Sequence, residues 1–316
     1  MSNTSILVIA FNRPNTLKEL LAHLEVLSKR KIMISIDGSK GDSDFKQSLT
    51  LELALLWKSS SQHEVEIVTQ DTNLGIYNHL PFALNKFFAK ETFGLILEDD
   101  MEFNSGLIRF VDQNKDLIES NSFWSICGHN PSNTSDPSSL KPSKISFRPS
   151  RFHAVWGWAC SRDIGLAFAE EYPNSVDLNE AFEVLKRTSK GFTNDPFLQK
   201  AFVLTWMRKI SGWNARREQS GWDTRWAYEG WKSGKFSLLP DASLSRESLN
   251  QLEGQTHKHM NFGSTWSNKL NSTFTFSIET MDSKSEIKNL KTWGITRRYS
   301  WFYQNRIRRQ LAEFIE

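Results

Sequence analysis

The sequence predicts an α/β domain with a mostly parallel β-sheet and flanking helices, and three observations support this fold class. Apolar, β-rich runs alternate with amphipathic helical patterns over the first hundred residues. Several runs are apolar at every position, as strands buried on both faces of a parallel sheet are. Polar or acidic residues follow four of these runs, at the edge where ligands bind to such sheets.

The first hundred residues contain four predicted strands and three predicted helices. The first strand covers residues 5–11, and Pro14 then suits the first turn of a helix whose leucines recur at helical spacing from Leu17 to Leu27. The elements that follow are a strand at 31–36, a helix at 45–58, a strand at 64–69, a helix at 77–90 and a strand at 93–97.

Beyond residue 100 the pattern becomes mainly helical. The predicted elements are a helix at 107–118, a strand at 123–127, a Ser/Pro/Asn-rich loop at 130–144, helices to about 217, a Trp-rich helix or turn at 221–231, a strand at 236–239 and a polar loop at 241–259. We therefore expect one domain over residues 1–262, with halves at 1–103 and 104–262, and a C-terminal helical extension at 263–316.

The composition of the 316-residue chain is that of an ordinary globular protein, with 39% apolar and 24% charged residues. The net charge of +3 is too small to predict nucleic-acid binding. Cys127 and Cys160 lie in apolar strand-like runs, which indicates buried thiols and a reducing compartment. We expect a cytoplasmic protein, because the N-terminus lacks the charged region of a signal peptide and no apolar run approaches ~20 residues.

Positive charge is concentrated in the C-terminal extension. Between residues 294 and 316 five arginines stand against two glutamates, an excess equal to the net charge of the chain. Apolar residues fall near one helical face, and they are Tyr299, Phe302, Tyr303, Ile307, Leu311, Phe314 and Ile315. A basic amphipathic helix of this kind packs on its own domain, joins a second subunit, or makes peripheral contact with the inner face of a membrane.

Three consecutive carboxylates, Glu98, Asp99 and Asp100, follow the fourth predicted strand. Their mutual repulsion at the end of a buried strand costs stability unless a cation is present. Hard oxygen ligands favour Mg²⁺ or Mn²⁺ and, through the metal, a diphosphate. The alternative is a solvated acidic turn that caps a helix beginning near Ser105.

The order of these motifs resembles the nucleotide-sugar-binding half of the GT-A glycosyltransferases. The segment 11–14 reads FNRP, and the triplet EDD at 98–100 follows about 90 residues later. The similarity covers about residues 6–262 and is greatest to the N-acetylglucosaminyltransferase I family and to bacterial family-2-like glycosyltransferases. It implies a Rossmann-like GT-A fold, a DXD-like metal motif and a sugar-nucleotide donor, with UDP as the expected nucleotide.

The resemblance also implies roles in a donor-nucleotide site. Arg13 would reach the phosphates, which suits a bidentate guanidinium. Asp37 would hydrogen-bond the base, while Phe11, Asn73 and Gly75 would line the nucleotide pocket. The alternatives are a surface arginine beside a helix start for Arg13, and a turn residue for Asp37.

A metal site is implied by the same comparison. Glu98 and Asp99 would face the ribose and the sugar, and Asp100 would bind Mn²⁺ or Mg²⁺ directly. His257 would complete the metal or diphosphate site, with His259 as a competing candidate. A loop histidine is otherwise an ordinary surface residue.

A second motif, WDTRW at 222–226, is similar to the W-D-x-x-W segment that supplies the catalytic base of the family. Asp223 would deprotonate the acceptor hydroxyl, and Trp222 and Trp226 would contact the acceptor sugar. The family usually has two adjacent acids here, whereas this chain has Thr224, so Glu229 is a reserve candidate for the base. The alternative is a helix capped by Asp223 with packed tryptophans.

Trp156 and Trp158 flank a glycine in an aromatic block and resemble the segment beneath the acceptor pocket of the family. Glycine at 157 would let the backbone approach a sugar closely. Packing of both tryptophans in the core is the alternative interpretation.

These features predict a metal-dependent, inverting glycosyltransferase of hexosyl- or N-acetylhexosaminyl-transferase type. The resemblance implies that the acceptor would be a hydroxyl of a glycan or lipid-linked glycan in bacterial surface polysaccharide biosynthesis. A catalytically inactive carbohydrate-binding protein on the same fold is one alternative. A nucleotidyltransferase is another, although the first strand is not followed by a Gly-rich basic loop. The sequence also has no GxGxxG or P-loop motif.

Overall fold

A computed structural model describes residues 3–41, 45–120, 122–132, 144–216, 221–248, 275–281, 286–288 and 290. Within these ranges the chain forms a nine-stranded β-sheet and a two-stranded ribbon, with eight helices. The predicted loop at 130–144 therefore lies largely outside the described residues. The same applies to His257, His259 and the basic tail after residue 290.

The elements have the following bounds. The strands are β1 Ser5–Ala10, β2 Lys31–Ile36, β3 Glu64–Thr69, β4 Phe93–Glu98, β5 Met101–Phe103, β6 Phe123–Cys127, β7 Lys144–Ser150, β8 Trp158–Ser161, β9 Phe236–Pro240, β10 Ser245–Glu247 and β11 Thr275–Ile278. The helices are α1 Pro14–Glu25, α2 Phe45–Ser60, α3 Gly75–Phe88, α4 Ser105–Glu119, α5 Arg162–Glu171, α6 Leu178–Phe192, α7 Pro196–Ala215 and α8 Trp222–Ser233.

The predicted α/β class is confirmed, with a sheet that is mostly parallel. The strand order is β11-β7-β9-β6-β8-β4-β1-β2-β3. Strands β4, β1, β2 and β3 are parallel neighbours, as βαβ connections require. Strand β8 runs antiparallel to both β4 and β6 and so joins this parallel half to the remaining strands.

Two hydrophobic cores lie on opposite faces of the sheet, because successive side chains of a strand point to opposite sides. Leu7 and Ile9 of β1 belong to the core that includes residues of α3 and α5 to α8. Ile6 and Val8 belong to the other core, with residues of α1 and α4. Burial on both faces explains why β1 is apolar at nearly every position.

The first half of the chain follows the predicted element order closely. Strands β2 and β3 have the predicted bounds, and α3 begins at Gly75 instead of residue 77. Gly75 has a φ of +67°, a left-handed conformation that favours glycine. The helix therefore starts at the glycine that the sequence analysis assigned to the nucleotide pocket.

Five strands were not predicted: β5, β7, β8, β10 and β11. They are short or contain polar residues and proline, and they pair with partners distant in sequence, so they leave little local pattern. Strand β11 lies within the predicted helical extension and pairs in parallel with β7 of the main sheet. Glu286 and Leu290 are also buried, so this part of the extension packs with the domain.

Cys127 and Cys160 are both buried free thiols, as the sequence predicted. In the described part of the chain, no helix combines the length and apolar character needed to cross a membrane.

Replacement of Gly94 by alanine should destabilise the fold by about 1–3 kcal/mol, the usual cost of overpacking. A Cβ at this position in β4 would lie 2.1 Å from the ring of Phe87. The matched control is Gly212→Ala in α7, where a Cβ meets nothing within 4 Å. That change should stabilise the protein by about 0.5–1 kcal/mol because alanine favours the helix. Chemical denaturation of both variants tests this, and equal effects would contradict it.

Candidate functional site

The carboxyl ends of β4, β1, β2 and β3 form one edge of the sheet, and polar side chains follow each strand. Glu98, Asp99 and Asp100 follow β4, and Arg13 follows β1. Asp37 follows β2, and residues 73–75 follow β3. The predicted convergence of these residues on one edge is therefore present, since parallel strands end on the same side.

The acidic triplet is tied to the end of β1 by hydrogen bonds and ion pairs. The backbone N–H of Phe11 donates to Asp99 Oδ2 at 3.0 Å. Arg13 Nη2 lies 2.7 Å from Asp99 Oδ1, and Arg13 Nη1 contacts Asp100 Oδ2. The guanidinium predicted to reach a diphosphate thus contacts both aspartates, while 35% of its side chain stays exposed.

Burial and mutual repulsion shift the pKa values of the triplet. Burial raises the pKa of Glu98, Asp100 and Asp99 raise it further, and Arg13 opposes the increase. Burial also raises the pKa of Asp99, although Arg13 and the Phe11 N–H favour its charged form. The single positive charge of Arg13 compensates only part of the negative charge of Glu98, Asp99 and Asp100. A further cation at this edge of the sheet is therefore favoured.

Asp100 offers a divalent metal more access than Asp99 does. Its side chain is 11% exposed and contacts Arg13 through Oδ2, whereas that of Asp99 is fully buried between Arg13 and the Phe11 N–H. The described residues contain no group of three or more His, Cys, Asp or Glu side chains arranged for a metal. A Mg²⁺-type ion held by one or two carboxylates and by substrate phosphates does not need such a group. The residues present therefore fit such an ion.

A segment that was predicted only as a polar loop returns to this acidic edge. Strand β10 pairs with β5, directly after the triplet. The N–H of Ser248 donates to the carbonyl of Asp100 at 2.7 Å, and Arg246 pairs with Glu102 at 2.8 Å. The Ser-Arg-Glu sequence of β10 has no apolar alternation, so no pattern signalled this contact.

Asp37 connects the end of β2 to the start of α3. Its Oδ1 accepts from the N–H groups of Gly38 and Leu74, both at 2.8 Å. Its Oδ2 accepts from Asn73 Nδ2 at 3.0 Å and from the N–H of Gly75 at 2.9 Å. These bonds use about four acceptor positions, the capacity of a carboxylate, so in this geometry none is left for a nucleotide base.

The charged form of Asp37 is favoured by its surroundings. Burial raises the pKa of a carboxyl group, but His79 and the N–H groups of Leu74 and Gly38 outweigh it and lower the pKa of Asp37. His79 Nδ1 lies 3.5 Å from Asp37 Oδ1, and His79 was not identified from the sequence. A histidine four residues inside a helix has no sequence feature that points to this partner.

Close backbone contact explains the glycine after Asp37. A Cβ on Gly38 would lie 2.3 Å from the carbonyl group of Thr72 and 2.8 Å from that of Gln70. The loop after β2 therefore contacts the loop after β3 directly. This backbone contact and the hydrogen bonds of Asp37 together hold the two loops against each other.

Asp223 is exposed in the first turn of α8, where the helix N-terminus favours a negative charge. The start of α8 lies near the end of β4, because the ring of Trp222 is 6.0 Å from that of Trp158, which pairs with Ile96 of β4. The charge of Asp223 also contributes to the raised pKa values of Glu98 and Tyr172. Glu229, the reserve candidate, is buried and paired with Arg225 at 2.8 Å. Burial raises the pKa of Glu229, and Arg225 opposes the increase.

The tryptophans assigned to the acceptor occupy different environments. Trp158 and Trp226 are buried, with ring centroids 4.1 Å apart, which corresponds to the core-packing alternative. Trp222 is also mostly buried and lies 6.0 Å from Trp158. Trp156 is only half-buried and packs edge-on against the ring of His129. Among these four residues, only the ring of Trp156 has substantial exposure at the surface.

Arg225 and Trp226 hold α8 in place from two sides. Trp226 packs on Trp124 and Phe168, with centroid distances of 4.7 and 4.9 Å. Arg225 donates to the carbonyl of Glu171, the last residue of α5, at 2.8 Å and to that of Asn174 at 2.9 Å. These contacts fix the helix that carries Asp223.

Comparison with known protein families finds no family model that matches this chain, and comparison with curated proteins finds no significant match.

Replacement of Asp37 by asparagine should destabilise the protein by about 1–3 kcal/mol at pH 7, because buried N–H donors lose acceptors. The pKa of Asp37 is lowered by folding, so its contribution is fully present above the ordinary carboxyl pKa of about 4. It is lost as the pH falls through the lower value of the folded state. The stability difference between the two proteins should therefore shrink below about pH 4.

Urea unfolding at pH 7 and pH 3.5 measures this difference. Asp71→Asn, at an exposed carboxylate in the loop after β3, is the control and should have little effect. Equal stability of the Asp37→Asn variant and the unmodified protein at pH 7 would show that Asp37 does not connect these loops.

Proposed function

We propose that this chain is a metal-dependent glycosyltransferase that moves a sugar from a nucleoside diphosphate donor to an acceptor hydroxyl. The main support is the position of an exposed carboxylate, Asp223, in a helix that starts near an acidic triplet. Asp99 and Asp100 of this triplet are buried, and Arg13 gives the triplet only partial charge compensation. Proton removal needs a base near the acceptor hydroxyl, and the departing diphosphate needs separate charge stabilisation.

Asp100 and Arg13 would form the leaving-group side of the site. Asp100 would hold Mn²⁺ or Mg²⁺, and such an ion supplies charge stabilisation to a departing diphosphate. Arg13 is partly exposed, so its guanidinium can donate to a phosphate while it remains near the aspartates. The half-buried Glu98 and the fully buried Asp99 add to the negative potential that favours a cation.

Asp223 would act as the general base. The acceptor oxygen attacks the anomeric carbon as its proton passes to the Asp223 carboxylate, and the bond between that carbon and the diphosphate oxygen breaks. A single displacement of this kind inverts the anomeric configuration. Asp223 suits the role because it is exposed, whereas Glu229 is buried and held by Arg225.

Burial of three of the predicted acceptor tryptophans counts against the alternative of an inactive carbohydrate-binding protein. A stacking platform for sugars needs an exposed aromatic face. Trp158, Trp222 and Trp226 are all at most 7% exposed. We therefore keep Trp156 as the candidate for stacking on the acceptor sugar. The other three tryptophans pack against one another and hold α8 against the sheet.

Thermal stability in the presence of UDP and Mn²⁺ tests the donor site. Ligand at 100 times Kd should stabilise the fold by about 2.7 kcal/mol, a shift of a few degrees in Tm, and EDTA should abolish it. Asp100→Ala should lose the metal-dependent shift, and Asp163→Ala, at an exposed acid of α5, should retain it. A shift that persists in Asp100→Ala would show that Asp100 does not hold the metal.

Asp223→Asn should lower the transfer rate by roughly 10²–10⁴-fold, the usual contribution of a general base, and leave donor binding unchanged. Asp163→Asn is a matched control, because Asp163 is likewise an exposed acid in the first turn of a helix. Single-turnover assays with saturating donor measure the effect. A near-normal rate in Asp223→Asn would transfer the role to another residue, with Glu229→Gln as the next variant.

A further inference from the structure

The side-chain amide of Asn73 has a defined orientation at the end of β3. Its Nδ2 group donates to Asp37 Oδ2 at 3.0 Å and to the carbonyl of Gly38 at 2.9 Å. A carboxylate and a carbonyl can only accept here, so the group that faces them must be the NH₂ of the amide. The oxygen of Asn73 is therefore on the opposite side.

Both partners of the amide are themselves fixed. Asp37 accepts from the N–H groups of Leu74 and Gly75, and Gly38 packs against the backbone of Thr72. Rotation of the Asn73 amide would place its oxygen against two other acceptors. The orientation of Asn73 Oδ1 is thus set by the contact between the loops after β2 and β3.

The Asn73 oxygen differs from the NH₂ group in having no hydrogen-bond partner among the described residues. Asn73 is half-buried, and within the described part of the chain its Oδ1 accepts no hydrogen bond. Its amide is held beside Asp37, which follows β2, so the acidic triplet after β4 lies two to three strand spacings away, or about 10–14 Å along the sheet edge. An extended nucleoside diphosphate covers a similar length, from its phosphates to its base.

We propose that Asn73 Oδ1 reads the base of the donor nucleotide by accepting a hydrogen bond from a ring N–H. Uracil and guanine present such a ring N–H, whereas cytosine and adenine present a ring-nitrogen lone pair at the equivalent position. A fixed oxygen repels that lone pair, so Asn73 selects against cytidine and adenosine nucleotides. This inference rests on the proposed function, since it needs a nucleotide donor.

The assignment replaces the base-binding role that the sequence suggested for Asp37. The four bonds to Asp37 use its acceptor positions, whereas both donors of Asn73 are used and its acceptor is not. Asp37 is then a positioning residue that orients Asn73.

Nucleotide selectivity tests this inference. Titration calorimetry with Mn²⁺ and UDP, GDP, CDP or ADP should show UDP or GDP bound about tenfold or more tightly than CDP and ADP. N3-methyl-UDP, which lacks the N–H, should bind about as weakly as CDP. In Asn73→Ala the preference for UDP over CDP and N3-methyl-UDP should fall to nearly one. The control Asn78→Ala, at an exposed amide in α3, should keep the preference.

Three outcomes separate the possibilities. Equal weakening of all nucleotides in Asn73→Ala would overturn the inference and leave Asn73 with a structural role. Tighter binding of CDP or ADP than of UDP and GDP to the unmodified protein would also overturn it. Binding of none of these nucleotides would instead contradict the proposed function.

Discussion

The compensation of buried carboxylates by Arg13 is the constraint on which the site depends. Charges removed from water are costly unless they are paired, and breaking such a pair is more costly still. Asp99 is completely buried, and its two oxygens face the Phe11 N–H and the Arg13 guanidinium. The turn after β1 must therefore stay beside the end of β4, and Pro14 starts α1 immediately after it. This brings the first and fourth strands of the chain to one charged edge.

The other half of the site depends on packing. The resemblance assigned Trp158 and Trp226 to the acceptor, yet both are core residues with ring centroids 4.1 Å apart. Trp158 also extends the sheet as the first residue of β8, between β4 and β6. The contact between Trp158 and Trp226 thus connects the start of α8, through β8, to β4, which leads into the acidic triplet. Trp226, one turn after Asp223 in α8, packs in the core, and Asp223 lies on the exposed side of the same helix.

The sequence was most informative where structure is local. Strand β3 and helix α2 were predicted at or near their bounds, because buried runs and helical spacing lie within short windows. Pairing over long distances had no such signal, so β8, with four residues, was missed. The site residues could likewise be predicted by type, whereas their hydrogen-bond partners could not. Residue types indicated which strand ends are polar, but they did not show that backbone N–H groups already use the acceptor positions of Asp37.

Strand β11 has a consequence for the order in which the fold is completed during synthesis. It covers β7, which otherwise has β9 as its only neighbour in the described sheet. Unpaired strand edges are templates for aggregation. The four parallel strands β1 to β4 leave the ribosome early, but β7 lacks its neighbour β11 until residues 275–278 emerge. A chain cut at residue 262 would therefore lack the strand that covers β7.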